Sequence, residues 1–104
     1  MTAGDWTFLT NHAHVLLCIA REPDIRLRDI AARVGITERA AQKIVHDLAN
    51  DSYVSVVRVG RRNNYRLLPG GRFRHPLEAQ HEVADLLALF VPEQDAPSSA
   101  SPGA

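Results

Sequence analysis

The chain has 104 residues, twelve Lys and Arg against twelve Asp and Glu, and one Cys, which bounds it to one small domain and excludes an intramolecular disulfide framework. Its 45% hydrophobic and 23% charged residues are an ordinary globular balance, and no run approaches the roughly 18 consecutive apolar residues of a membrane span. The opening MTAGDWTFLT lacks a basic stretch followed by an apolar one, so no secretory signal is read and the expected compartment is the cytoplasm.

From Thr7 to Ala20, Leu9, Ala13, Leu16, Leu17 and Ala20 recur at helical spacing, and Val15 and Ile19 widen the stripe. Pro23 ends that helix, because its ring cannot continue the hydrogen-bond ladder. Ile25-Arg26-Leu27 alternates and is read as a very short strand. A short helix from Arg28 to Val34 buries Ile30, Ala31 and Val34, and Gly35 closes it. Thr37 is a suitable N-cap for a third helix running to about Asn50, with Glu38 in its first turn beside the positive end of the helix dipole.

Tyr53 to Val59 is rich in β-branched residues and reads as a strand. Gly60-Arg61-Arg62-Asn63-Asn64 is turn-like, since Gly and Asn tolerate positive φ. Tyr65 to Leu68 returns as the second strand of a hairpin, and Pro69-Gly70-Gly71 leaves it as a flexible connection. Pro76 suits the first turn of a last helix reaching Phe90, with Leu77, Val83, Ala84, Leu86, Leu87 and Phe90 covering more than one face. The domain therefore spans residues 1–91. Residues 92–104 are rich in Pro, Ser and Ala without apolar periodicity and are expected to be a disordered tail.

The zero net charge conceals a distribution. Residues 1–25 carry −2, residues 26–74 carry eleven basic side chains against four acidic ones for +7, and residues 75–104 carry −5. A basic middle between acidic ends is the footprint of a polyanion-binding surface; a solvated surface whose charges pair across segments is the other reading of the same numbers. At 100° per residue, Ala41, Ile44, Val45 and Leu48 share one side of the third helix, while Arg39, Gln42, Lys43, His46 and Asn50 share the other. That polar face mixes basic residues with amides. Arg matches the O6/N7 edge of guanine, Gln matches adenine, and Lys matches phosphate or guanine.

Catalytic chemistry finds little support. There is no Gly-rich phosphate loop, no nucleophile motif and no carboxylate pair placed for a pocket, so the chain is not expected to be an enzyme. His12 and His14 form an HxH pair, but on a helix such residues diverge by about 200° and cannot share a site. His14 with Cys18 and His81 with Asp85 are i,i+4 pairs of chelating spacing. A His/carboxylate site drawn from His75, His81, Glu82 and Asp85 is the metal reading that survives; no cofactor or metal is assigned. Cys18 reads as a small buried hydrophobe.

The element order, and above all LRDIAARVGITERAAQKIVH from Leu27 to His46, resembles a winged helix-turn-helix domain. Gly35 stands where the turn needs positive φ, Ala31 where the helices approach, and Ile30, Val34, Ile36, Ala41 and Ile44 at the apolar positions. The hairpin VSVVRVGRRNNYRL is similar to the wing of short bacterial regulators of the ArsR and MarR type. The resemblance covers residues 7–90 and implies a mainly α fold with a small β-hairpin wing, in the order α-β-α-α-β-β-α. It further implies a homodimeric, sequence-specific DNA-binding transcriptional regulator on double-stranded DNA, with the third helix in the major groove and the wing in the minor groove. The candidate DNA contacts are Arg28, Thr37, Glu38, Arg39, Gln42, Lys43, His46, Arg58, Arg61, Arg62 and Asn63. The first and last helices are the implied dimer interface, with Trp6, Phe8, Leu9, Leu16, Val83, Leu87 and Phe90 as its candidates. Two alternatives stand beside this reading. One is a winged helix used as a protein-interaction module, which usually lacks a basic face and a basic wing; the other is a metal- or ligand-responsive sensor whose effector the sequence does not name.

Overall fold

Three helices build the body of the domain in a computed structural model that describes residues 6–91. α1 spans Asn11–Arg21, α2 spans Leu27–Val34 and α3 spans Glu38–Asn50. β1 (Val54–Val59) and β2 (Arg62–Leu67) pair antiparallel in register Val54 to Leu67 through Val59 to Arg62, and α4 (Val83–Phe90) returns against α1. Four helices and one hairpin in this order form a winged helix-turn-helix. The tail expected at 92–104 lies outside the described residues.

One core holds these elements together. α1 contributes Val15, Leu16, Ile19 and Ala20; α2 contributes Ile30 and Ala31; α3 contributes Ala41, Ile44 and Leu48. Ile25, Val54, Tyr65 and Leu87 complete it from the loop, the hairpin and α4. The spacing read from the sequence is the buried face of α2 and α3; on α1 the deepest residues are Val15 and Ile19, read as the margin of the stripe, while Ala13, Leu17 and, ahead of the helix, Leu9 are half-buried.

The turn between α2 and α3 is built by Gly35. Its φ of 87° is left-handed, and the amides of Gly35 and Ile36 both reach back to the Ala31 carbonyl at 2.8 and 3.0 Å. This is a Schellman ending, which redirects the chain within two residues. Thr37 then caps α3, its hydroxyl accepting from the Ala40 amide at 3.0 Å. At the far end of α3 the same device recurs with a costlier residue: the Tyr53 amide donates to the Leu48 carbonyl at 2.9 Å while Ser52 takes φ 68°.

Four expectations are corrected. The first helix begins at Asn11 rather than Thr7, because the Thr7 hydroxyl donates to the Leu9 carbonyl at 2.6 Å and holds a non-helical turn. Ile25-Arg26-Leu27 is no strand. The Arg26 carbonyl accepts the Asp29 and Ile30 amides as the cap of α2, and the loop meets the hairpin instead through the carbonyls of Pro23, which takes the Tyr65 amide at 2.8 Å, and Asp24, which takes Arg62 at 2.8 Å. The hairpin loop is two residues, not five: Gly60 at φ 64° supplies the positive φ that a two-residue turn of type II′ needs at its first position, and Asn63 and Asn64 pair with Arg58 and Val57.

The last helix is the largest departure. α4 starts at Val83, not Pro76, because the backbone before it is spent elsewhere. Arg72 and Glu82 bridge antiparallel, and the Phe73 amide takes the His81 carbonyl at 3.2 Å, the acceptor a continuous helix would offer to Asp85. The Arg72 guanidinium binds the Gln80 carbonyl at 2.8 Å, and the Tyr53 hydroxyl donates to the Arg72 carbonyl. Leu77, read as part of an apolar helical face, is 80% exposed on this excursion.

Candidate nucleic-acid interface

α3 presents the face expected of it. Arg39, Gln42, Lys43, His46 and Asn50 are exposed, opposite the buried Ala41, Ile44 and Leu48. Among the described residues, Arg39, Gln42 and His46 make no side-chain hydrogen bond or ion pair. Thr37 and Glu38 stand exposed at the start of α3, and Arg28 is exposed in the first turn of α2. Lys43 is tied loosely, its Nζ 3.4 Å from Asp47 one turn on. Asp47 also accepts from His12 Nε2 at 2.9 Å, linking α1 to α3. That hydrogen bond, with Lys43 beside it, holds the Asp47 carboxyl below its ordinary range.

The distribution of ion pairs separates the arginines into two groups. Arg33 pairs with Glu22 at 3.0 Å and Arg74 with Asp51 at 2.7 Å, while Arg21 and Arg72 donate to the carbonyls of Phe90 and Gln80. These side chains fasten loops and helix ends. Arg28, Arg39, Arg61 and Arg66 have no such partner among the described residues; the hairpin carries four arginines and no carboxylate, whereas α3 balances Arg39 and Lys43 against Glu38 and Asp47. On the wing, Arg61 occupies the two-residue turn and is exposed. Arg62 instead bends to the loop between α1 and α2, donating to the Asp24 carbonyl at 2.8 Å with the Asp24 carboxylate at 4.0 Å. Arg58 makes a long contact from Nε to the Gly60 carbonyl, 3.4 Å, and Asn63 opposite it is half-buried.

Arg26 is the residue that sequence reasoning missed. It precedes α2 and lines a cleft of about 410 Å³ together with the wing arginines Arg58, Arg61 and Arg62. Its place in the sequence, two residues before Arg28 at a helix start, was the available signal; the strand assigned to 25–27 obscured it.

The candidate interface residues divide. Trp6 and Phe8 stack edge to face with centroids 5.0 Å apart and are 67% and 91% exposed. Phe90 and its neighbour Leu89 are also exposed. Leu9 and Val83 are half-buried, whereas Leu16 and Leu87 belong to the core of the single chain, which leaves them almost no surface to offer a second copy. Between α1, α3 and α4 lies a further cavity of about 520 Å³, floored by Leu16, Leu48 and Leu87 and rimmed by the His12–Asp47 and Arg74–Asp51 pairs.

His12 and His14 diverge as their spacing requires, His12 to Asp47 and His14 to Asn11 at 3.2 Å. No three His, Cys, Asp or Glu side chains among the described residues are grouped to hold a metal ion. Cys18 is half-buried on α1, and burial pushes its thiol up. No helix of the described residues is long and apolar enough to cross a membrane.

No protein-family model matches the sequence, and no curated protein matches it. Among solved structures, the chain is similar to a zinc-dependent MarR family transcriptional regulator, AdcR, crystallised in its Zn(II)-bound state. The identity is 18%, the TM-score 0.47, and the match covers 66% of this chain and 49% of the regulator. The chain thus spans about half the length of that protein.

Proposed function

We propose that the chain is a sequence-specific DNA-binding transcriptional regulator that occupies its operator as a homodimer. The observation that carries this reading is the exposed polar face of α3, where Arg39, Gln42 and His46 have no side-chain partner among the described residues, together with a hairpin of four arginines and no carboxylate whose tip residue Arg61 is likewise unpaired there. Arg39, Gln42, Lys43 and His46 meet base edges in the major groove, where Arg and Gln have matching hydrogen-bond partners. Thr37 and the N-terminus of α3 stand at the strand backbone, where the helix amides and dipole favour a phosphate oxygen. The wing reaches the minor groove through Arg61, drawn by its negative potential. Trp6, Phe8 and Phe90 supply the exposed apolar contacts of the dimer, giving two half-sites about one helical turn apart or a multiple of it.

The test is selection of fragments of the source genome on the full chain at low salt. Enrichment of inverted repeats supports the reading, and no enriched DNA overturns it. Binding weakens steeply with salt, as counterion release requires. Arg61→Ala with Arg62→Ala weakens binding to all sequences, whereas Gln42→Ala changes which sequence is preferred. Light scattering at micromolar concentration reads the dimer directly, and a monomer there sinks that part of the proposal.

A further inference from the structure

We propose that the cleft between the wing and the start of α2 is a binding site for a phosphate group carried on a larger body. Arg26 lines it from the α1–α2 loop, and Arg58, Arg61, Arg62 and Asn63 line it from the hairpin. No carboxylate lines it. The floor is apolar, formed in part by Ile25 and Tyr65, both buried.

Four arginines line one cleft, and like charges gathered in this way repel one another wherever they approach within the Debye length, about 8 Å at physiological salt. The chain offsets little of this. Asp24 is the one carboxylate ion-paired to the cluster among the described residues, and its distance to Arg62 is 4.0 Å. Arg26 and Arg61 have no side-chain partner among the described residues, and the 3.4 Å contact of Arg58 is to a carbonyl. Arg62 is oriented by the Asp24 carbonyl through one Nη, which leaves its other N–H donors for a ligand. A planar guanidinium matches two oxygens of a phosphate at once, so a cluster of this kind is suited to an oxyanion rather than to a single carboxylate. Arg26 also caps α2 with no side-chain hydrogen bond; the Asp29 amide is taken by the Arg26 carbonyl, and the amides of Leu27, which lines the cleft, and Arg28 have no protein acceptor among the described residues.

The volume, about 410 Å³, exceeds what a bare phosphate fills, and the apolar floor favours a ligand that brings a sugar or base with it. Two sources share this chemistry: a nucleotide unit of a DNA strand, and a free phosphorylated small molecule. The first source rests on the DNA-binding reading and deepens it, because it assigns Arg26, Arg58 and Arg62 to the strand backbone and leaves Arg61 at the tip for the groove.

The experiment follows the arginine Nε–Hε resonances of the full chain in two titrations. One uses a random-sequence DNA duplex; the other uses adenosine monophosphate, with adenosine as the unphosphorylated control. Saturable shifts at Arg26, Arg58 and Arg62 with either phosphate-bearing probe, absent with adenosine and lost in Arg26→Gln, support the site. Shifts with the duplex assign the strand backbone. Arg26→Gln then weakens duplex binding about tenfold and lowers the slope of log affinity against log salt by about one per protomer, without changing sequence preference. Shifts at the cleft with the nucleotide alone assign the free ligand and leave the site standing, and the DNA reading fails if Arg39 also stays still with the duplex. Resonances that stay still in both titrations overturn the site, and a duplex-induced shift of Arg39 in that case leaves the DNA reading intact. An unchanged thermal midpoint for Arg26→Gln shows that the variant is folded.

Discussion

Replacing Gly35 by alanine tests whether the helix-turn-helix turn depends on backbone conformation alone. Gly35 sits at φ 87°, and a Cβ built there meets nothing within 4 Å. No steric clash therefore contributes, and the cost reduces to holding an L-residue in the left-handed region, about 1–2 kcal/mol. The smaller entropy of the unfolded alanine chain returns about 0.4–1 kcal/mol, so the net loss is about 1 kcal/mol. For a domain of this size that lowers the thermal midpoint by about 4–8 °C. Ser52 provides the opposite substitution at the other end of α3. It holds φ 68° with a Cβ, so Ser52→Gly relieves the same strain against the same entropy and gains about 0.5–1 kcal/mol. Gly71→Ala provides the steric contrast, since its Cβ would stand 2.7 Å from Tyr53 Cδ1 and overpacking of that kind costs about 1–3 kcal/mol. Urea and thermal melts followed by far-ultraviolet circular dichroism measure all three. A loss above about 3 kcal/mol for Gly35→Ala, or a loss rather than a gain for Ser52→Gly, refutes the assignment of these costs to φ.

Thr37→Ala removes the acceptor for the Ala40 amide and lowers stability by about 1 kcal/mol in urea denaturation; a neutral result means that water replaces the cap without loss. The depressed pKa of Asp47 makes its contribution complete above the unfolded carboxyl pKa of about 3.9 and lost as pH falls through the lower folded value. The difference in urea midpoint between the natural chain and Asp47→Asn is accordingly present at pH 6 and closes below about pH 4, and a constant difference contradicts the His12 link. Burial raises the Cys18 pKa, so at pH 8 iodoacetamide alkylates the folded chain more slowly than the chain in urea, because the thiolate is the nucleophile. The same shift makes stability fall as pH rises above the unfolded thiol value.

The most legible parts of the molecule in the sequence were those governed by local chemistry. Thr37, Gly35 and the spacing of Ala41, Ile44 and Leu48 define α3 and its turn within a few residues, because capping, positive φ and one buried stripe are all encoded nearby. The errors lie where distant backbone competes. Nothing local to Pro76 reveals that Arg72 and Glu82 will pair and consume the acceptors of the expected helix. Likewise Arg26 looks like part of a strand until its carbonyl is seen capping α2. The exposed face of α3 was readable because an amphipathic helix fixes its own inside and outside. The cleft around Arg26 was not, since it joins a loop and a hairpin over thirty residues apart. Leu16 and Leu87 show the limit of reading surplus apolar surface as interface: α4 spends Leu87 on the core because the helix is short.

The wing is a lever whose bearing lies outside itself. Its two strands of six residues extend about 20 Å at roughly 3.3 Å per residue, and the Tyr65 amide on the Pro23 carbonyl and Arg62 on Asp24 brace one edge against the α1–α2 loop. A pivot of about 10° at the base would carry the tip some 3.5 Å sideways, about the rise of one base pair. The calibration between the tip arginine and α3 therefore depends in part on residues 23 and 24, which belong to neither. Sequence drift in that loop can re-space the two elements while leaving every side chain on both of them unchanged.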